Sequence, residues 1–93
     1  MEMFEVVTVV TTAGEFVGKF AGETEKGISL TDPRMLIRNN YNTGMGFAKG
    51  IAVSGKDYPT EVDFHTGGIV FVTPTNEPVE KAYLEFVSGI ILS

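Results

Sequence analysis

The chain has 93 residues, no cysteine and a formal net charge of −5, from seven Lys and Arg against twelve Asp and Glu. The lack of cysteine excludes disulfides, thiolate metal sites and cysteine nucleophiles. The acidic balance argues against a protein that grips nucleic acid mainly by neutralising phosphates, because that affinity scales with the cations offered. A chain of this length forms one domain over residues 1–93 and buries only about 60–65% of its unfolded surface, so we expect copies to associate.

The N-terminal segment and the apolar runs bear on location. Residues 1–12 read MEMFEVVTVVTT, with acids where a signal peptide carries a basic region. No apolar run approaches the roughly 20 residues that a membrane span needs. We therefore expect an unprocessed cytoplasmic protein with no membrane partner.

Two β-strands are predicted at the start of the chain. Residues 4–12 are dense in Val and Thr, which favours a strand covered on both faces. Residues 15–23 form the second strand, in which Phe16, Gly18 and Phe20 share one face because side chains alternate. Glycine between two phenylalanines on one face predicts a sheet that bends sharply over the rings.

The middle of the chain is less regular. A third strand is predicted over residues 28–37, where Pro33 marks a bulge or an edge because proline cannot donate to the ladder. Residues 38–50 are rich in Asn and Gly and predict a loop. Three short strands would then extend a hairpin out of the sheet: residues 51–54, 61–65 and 69–73.

The C-terminal part predicts more β-structure. Two prolines in residues 74–78 indicate a turn, and residues 80–87 predict a strand with Leu84 and Phe86 on one face. Residues 90–92 are a short apolar run that predicts a final strand. Helical content should be very low.

Two stretches resemble the sequence motifs of the Sm and LSm-like proteins. Residues 6–32 read VVTVVTTAGEFVGKFAGETEKGISLTD, with the rhythm of that family's first motif: strand, Gly turn, strand with internal Gly, short loop and third strand. The family's second motif has a strand, an Arg-Gly or Lys-Gly signature and a final strand. Here residues 83–87, Ser88-Gly89 and residues 90–92 occupy these places, with Ser88 instead of the basic residue.

The resemblance implies an all-β fold. A single Sm-like domain would form a strongly bent, five-stranded antiparallel sheet closing into a small open barrel. Residues 38–79 would be an elaborated connection between its strands 3 and 4. The family also implies a closed homo-oligomeric ring, in which the strand before Gly89 pairs with the final strand of the next subunit.

A physical argument supports the ring. A bare apolar strand at a chain end is a liability unless something covers it, and head-to-tail contacts that close into a ring leave no edge exposed. The candidate interface residues are Leu84, Phe86, Ile90, Ile91 and Leu92.

The resemblance also implies candidate RNA-binding residues. The family's loop between strands two and three holds a base with an Asp, a stacking residue and an Asn. Here Thr24 stands near the place of the Asp, Lys26 near that of the stacking residue, and Gly27 or Ile28 near that of the Asn. With Ser88 and Gly89 they would line a pore. Alternatively, these segments are simple turns, with Lys26 paired on the surface to a neighbouring glutamate.

Two functions follow, neither of them catalytic. The leading hypothesis is a homo-oligomeric ring that binds single-stranded RNA through its pore loops. The alternative is a structural or protein-interaction ring without nucleic acid, for example in phage assembly. The chain is also similar to small acidic proteins encoded by tailed phages of marine cyanobacteria, which would place it in the host-cell cytoplasm.

Patterns of catalysis and cofactor binding are weak. The glycines of residues 44–50 fit neither the dinucleotide nor the P-loop spacing. The carboxylates nearest to His65, Asp63 and Glu61, alternate with apolar residues as on a solvated strand face. Ser54, Asp57 and His65 could be combined into a hydrolytic triad, but no nucleophile elbow surrounds the serine. We expect no enzyme, metal or cofactor. Aromatic residues near the long loop offer a second stacking surface for RNA: Tyr41, Phe47 and Tyr58.

Overall fold

A computed structural model of the protein describes residues 1–38 and 45–89. The strands in this part of the chain are β1 (Val6–Thr11), β2 (Gly14–Thr24), β3 (Gly27–Arg38), β4 (Met45–Phe47), β5 (Glu61–His65) and β6 (Ile69–Pro74). A 3₁₀ turn (Thr66–Gly68) joins β5 to β6, and one helix, α1 (Glu77–Ser88), follows.

The strands form one open, antiparallel arrangement. Their order is β4-β3-β2-β1-β6. β5 pairs with the first half of β3, and β4 pairs with the end of β3 along the same edge. The prediction of a mainly antiparallel β protein is confirmed. The expectation of very low helical content is wrong, because α1 spans 12 residues.

The sheet bends at two irregularities in the β2–β3 ladder. The register shifts between Val17 and Lys19 and again between Phe20 and Glu23. Opposite the first shift lie Asp32, with a φ of 50°, and the buried Pro33. The bulge predicted at Pro33 is therefore confirmed.

The concave side of the bent sheet holds one hydrophobic cluster. Its buried members are Val7, Val9, Phe20 and Leu30, with partly buried Ile28, Phe64, Ile69 and Val72 around them. Gly18 lies opposite Val7 on the same face. A Cβ on Gly18 would lie 3.1 Å from the Leu30 Cβ and 3.2 Å from the Pro33 Cα, so glycine lets β3 approach closely.

Helix α1 covers part of the convex side. Val79 and Tyr83 of the helix pack against Val6 and Val17 of the sheet, with Phe47 at the margin. The Tyr83 ring meets the Phe47 ring edge-on, with centroids 5.9 Å apart. The sheet is therefore buried on both faces near β1 and β2, as the dense Val run predicted.

The predicted strand over residues 80–87 is wrong, because this segment lies within α1. Its apolar residues alternate, but Val79, Tyr83 and Val87 also recur every four residues and form one helical face. The Asn76 side chain accepts a hydrogen bond from the Val79 N–H, 3.0 Å away, and so caps the helix. Gly89, with a φ of 73°, ends it.

The connection between β3 and α1 also differs from expectation. The strands predicted over residues 61–65 and 69–73 are confirmed, but residues 51–54 form turns and bends. β5 and β6 pair with β3 and β1 and not with each other, so the predicted protruding hairpin is wrong. The predicted final strand over residues 90–92 lies outside the described residues.

Candidate interaction site

The turn between β2 and β3 holds three of the predicted RNA-binding residues. The Thr24 hydroxyl accepts hydrogen bonds from the backbone N–H groups of Lys26 and Gly27, at 3.3 and 3.0 Å. The Lys26 carbonyl accepts from the backbone N–H and the hydroxyl of Thr66, at 2.7 and 2.8 Å. This turn is therefore fixed against the 3₁₀ turn between β5 and β6.

Gly27 has a structural reason to be glycine. A Cβ at this position would overlap the Phe64 carbonyl oxygen. No side chain fits there unless β5 moves. The glycine thus allows the β3–β5 contact, whether or not the turn binds a ligand.

The charges around this turn are mostly negative. Lys26 is exposed, and so are Glu23 and Glu25 of the same turn. On β5, His65 lies opposite Gly27 and Asp63 lies opposite Ser29. Within residues 1–38 and 45–89 the ion pair that forms joins Lys19 to Asp32, so the alternative pairing of Lys26 with a neighbouring glutamate is not seen. Glu23 and Glu25 are exposed in the same turn as Lys26, and their charges oppose the approach of phosphate.

Ser88 and Gly89 lie elsewhere. The Ser88 hydroxyl donates to the Glu85 carbonyl at 3.1 Å, and the Gly89 N–H donates to the same oxygen at 3.1 Å. Ser88 lines a shallow groove with Lys19 and Asp32, near the middle of β2. The segment hydrogen-bonded to the Thr24–Gly27 turn is the 3₁₀ turn, whereas Ser88 and Gly89 lie at the C-terminal end of α1.

The predicted interface residues have a different setting from the expected strand. Leu84 and Phe86 are on α1, where Leu84 is exposed and the Phe86 ring packs 5.7 Å from the Phe47 ring. Ile90, Ile91 and Leu92 lie outside the described residues. Pairing of a strand before Gly89 with the next subunit is therefore wrong as a mechanism, because that segment is helical.

The edge of β5 is free of partners within the described chain. In an antiparallel ladder, hydrogen-bonded residues alternate with residues whose backbone groups point outward. Asp32 donates to the Thr60 carbonyl and Thr66 to the Lys26 carbonyl, so the even-numbered residues of β5 face β3. The backbone N–H and C=O groups of Glu61, Asp63 and His65 then point outward.

The same argument applies to β6. Thr75 donates to the Val6 carbonyl, which places Thr73 and Phe71 in hydrogen-bonded pairs with β1. The backbone of Val72 therefore points outward. Two large side chains near this edge are exposed, Val70 at 61% and Phe71 at 53%. The run of four apolar residues at 69–72 was the available sequence signal, but which edge stays open depends on pairing with β1.

The described residues show neither a metal cluster nor a membrane-spanning helix. No group of three or more His, Asp or Glu side chains there is arranged to hold a metal ion. Its single helix is too short and too polar to cross a membrane. Tyr41, predicted as part of a stacking surface, lies outside the described residues, whereas Phe47 packs on Tyr83 and Phe86.

No protein-family model, curated protein or solved structure matches this chain.

Proposed function

We propose that this protein is a non-catalytic small-barrel module that assembles with copies of itself into a closed ring, in the manner of the Sm and LSm-like proteins that its first three strands resemble. The observation that carries the proposal is a pair of strand edges that have no partner strand among the described residues, β5 with five residues and β6 with six. Each edge presents unpaired backbone groups to solvent, and such edges pair readily with another chain.

The two edges suit a head-to-tail contact. If β5 of one subunit adds to β6 of the next, every subunit uses one edge of each kind and a closed ring leaves none exposed. The contact would cover Val70 and Phe71, which are apolar and exposed on β6. It would bring the acidic β5 edge, with Glu61 and Asp63, beside an edge without charged residues, so no like charges meet.

A ring that binds protein partners fits the charge better than a ring that binds RNA. The net charge is −5, and the exposed Lys26 shares its turn with the exposed Glu23 and Glu25. RNA binding remains the second candidate, because the Thr24–Gly27 turn presents this lysine on a fixed backbone. A role in phage assembly is one instance of the protein-binding ring.

Proline substitution at the β5 edge tests the assembly. Asp63→Pro removes an outward N–H without removing a β3–β5 hydrogen bond, whereas Asp63→Ser keeps the N–H and removes only the charge. We expect sedimentation to show an oligomer for the native protein and Asp63→Ser, and a folded monomer for Asp63→Pro. A native protein that sediments as a monomer at high concentration would refute the ring.

A further inference from the structure

Arg34 is a buried cation. It lies on β3 directly after the Pro33 bulge and opposite Val17, on the convex face of the sheet. Only 4% of its surface is exposed. Removing a guanidinium from water is costly unless a charge partner and hydrogen bonds replace the water.

The described residues satisfy only part of this group. Its Nη1 donates to the carbonyl oxygens of Pro33, at 2.9 Å, and Pro59, at 3.4 Å. Its Nε is buried and has no hydrogen-bond partner. The ion pair formed among the described residues uses Asp32 with Lys19 instead. Among the described residues, the hydrogen bonds of this guanidinium therefore go to two neutral carbonyls and not to a carboxylate, although the protein as a whole is acidic.

Tyr58 covers the guanidinium. Its ring centroid lies 5.6 Å from the Arg34 Cζ, and its own side chain is half exposed, so it separates Arg34 from solvent. Tyr58 has a φ of 53°, an unfavourable backbone conformation for an aromatic residue. It is held there by a 2.7 Å hydrogen bond from its N–H to the Lys49 carbonyl. Such strain persists where the surroundings impose it, often at ligand sites.

We propose that Arg34 binds a carboxylate group beneath Tyr58. Because Nη1 already donates to the two carbonyls, the free edge of the guanidinium is the one formed by Nε and Nη2. This edge takes a planar carboxylate through two parallel hydrogen bonds. The ligand would supply both the missing countercharge and the missing acceptor for Nε. Tyr58 moves aside for entry and covers the bound group.

The Nε–H signal of Arg34 reports directly on this site. Arg34 and Arg38 are the only arginines in the chain, so a ¹⁵N spectrum has two such signals and Arg38→Lys assigns them. Acetate added at constant ionic strength should shift the Arg34 signal saturably. Chloride at the same concentration should not. An Arg34 signal that does not respond to acetate refutes the proposal.

Thermal unfolding provides the second test. Arg34→Met keeps most of the side-chain length without the charge, and Lys49→Met is the control at an exposed cation of the neighbouring loop. With acetate at ten times its dissociation constant, the Tm of the native protein and of Lys49→Met should rise by about 5–10 °C. The Tm of Arg34→Met should not rise. An equal rise of the Tm in all three proteins would indicate a general effect of the salt and would refute the proposed site. If Arg34→Met does not fold, the acetate titration of the native protein decides alone.

The two possible sources of the carboxylate are separable. A free small acid binds to isolated subunits, so the acetate response is independent of protein concentration. A carboxylate side chain of a second copy competes with acetate, so acetate would then reduce self-association measured by sedimentation. An acetate response of isolated subunits or an acetate-dependent loss of self-association supports the site, and the absence of both refutes it.

Discussion

The Tyr83 hydroxyl donates a hydrogen bond to the backbone carbonyl of Asp32, 2.7 Å away. Asp32 lies at the position where the register of the β2–β3 ladder shifts, and the helix donates to its carbonyl there. Tyr83 is completely buried. A single side chain thus joins α1 to the first irregularity of the β2–β3 ladder.

Tyr83→Phe should destabilise the protein without unfolding it. The ring keeps its packing, but the Asp32 carbonyl loses its donor, at a cost of about 1–3 kcal/mol. Urea unfolding measures this difference. The exposed Tyr58→Phe is the control and should change stability much less. Equal stability of Tyr83→Phe and the native protein would contradict the proposed anchor.

Stability should also fall in alkali. Burial, and secondarily the nearby Asp32 charge, raise the pKa of Tyr83 above its ordinary value. The unfolded chain therefore loses this proton near pH 10 while the folded chain keeps it, so the contribution is present below about pH 10 and is lost as pH rises further. Urea unfolding between pH 8 and about 11 should show a steeper decline for the native protein than for Tyr83→Phe. Parallel curves would argue against the shift.

Gly18→Val should destabilise the bent sheet. The first added carbon would already lie 3.1 Å from Leu30 and 3.2 Å from the Pro33 backbone. We expect a loss of roughly 1–3 kcal/mol from overpacking and reduced curvature. Gly67→Ala is the control, because nothing lies within 4 Å of its added carbon. Unchanged thermal stability of Gly18→Val would mean that β2 and β3 are not closely packed there.

Gly27→Ala should release β5. The added carbon would overlap the Phe64 carbonyl, so β5 must move away from β3. Hydrogen exchange should then be faster at the β5 amides than in the native protein, whereas Gly68→Ala, which meets no atom within 4 Å, should leave it unchanged. Normal protection of β5 in Gly27→Ala would contradict the close approach.

A titration with short RNA separates the two functions. On the proposed protein-binding ring, uridine-rich and adenine-rich strands should show no saturable binding at low salt, and Lys26→Ala should change nothing. Saturable binding that Lys26→Ala weakens, with a smaller dependence on salt, would restore the RNA hypothesis. Lys81→Ala, on the exposed face of α1, controls for a general loss of charge.

Deletion of residues 90–93 distinguishes between the two candidate interfaces of the ring. The sequence alone predicts that this deletion converts the oligomer into monomer or aggregate, because residues 90–92 would complete a neighbour's sheet. The β5 and β6 edges predict that the oligomer survives. Sedimentation of the deletion variant beside Asp63→Pro decides between them.

Local pattern was sufficient for the first half of the fold. The Val-rich run of β1, the glycine between Phe16 and Phe20, and the bulge at Pro33 follow from side-chain alternation and proline chemistry, which act over a few residues. The Thr24–Gly27 turn could be placed for the same reason. Its attachment to Thr66, 40 residues away from Lys26, could not.

The second half depended on tertiary structure. Residues 80–87 satisfy both a strand and a helix period, and packing of Val79 and Tyr83 on the convex face decided for the helix. Which strands close the sheet, and so which edges remain open, follows from pairing of β5 and β6 with strands far away in sequence. Arg34 is an ordinary strand residue by sequence. In the described part of the fold it is a buried cation without a carboxylate partner, with Tyr58 and Pro59 of a distant segment packed against it.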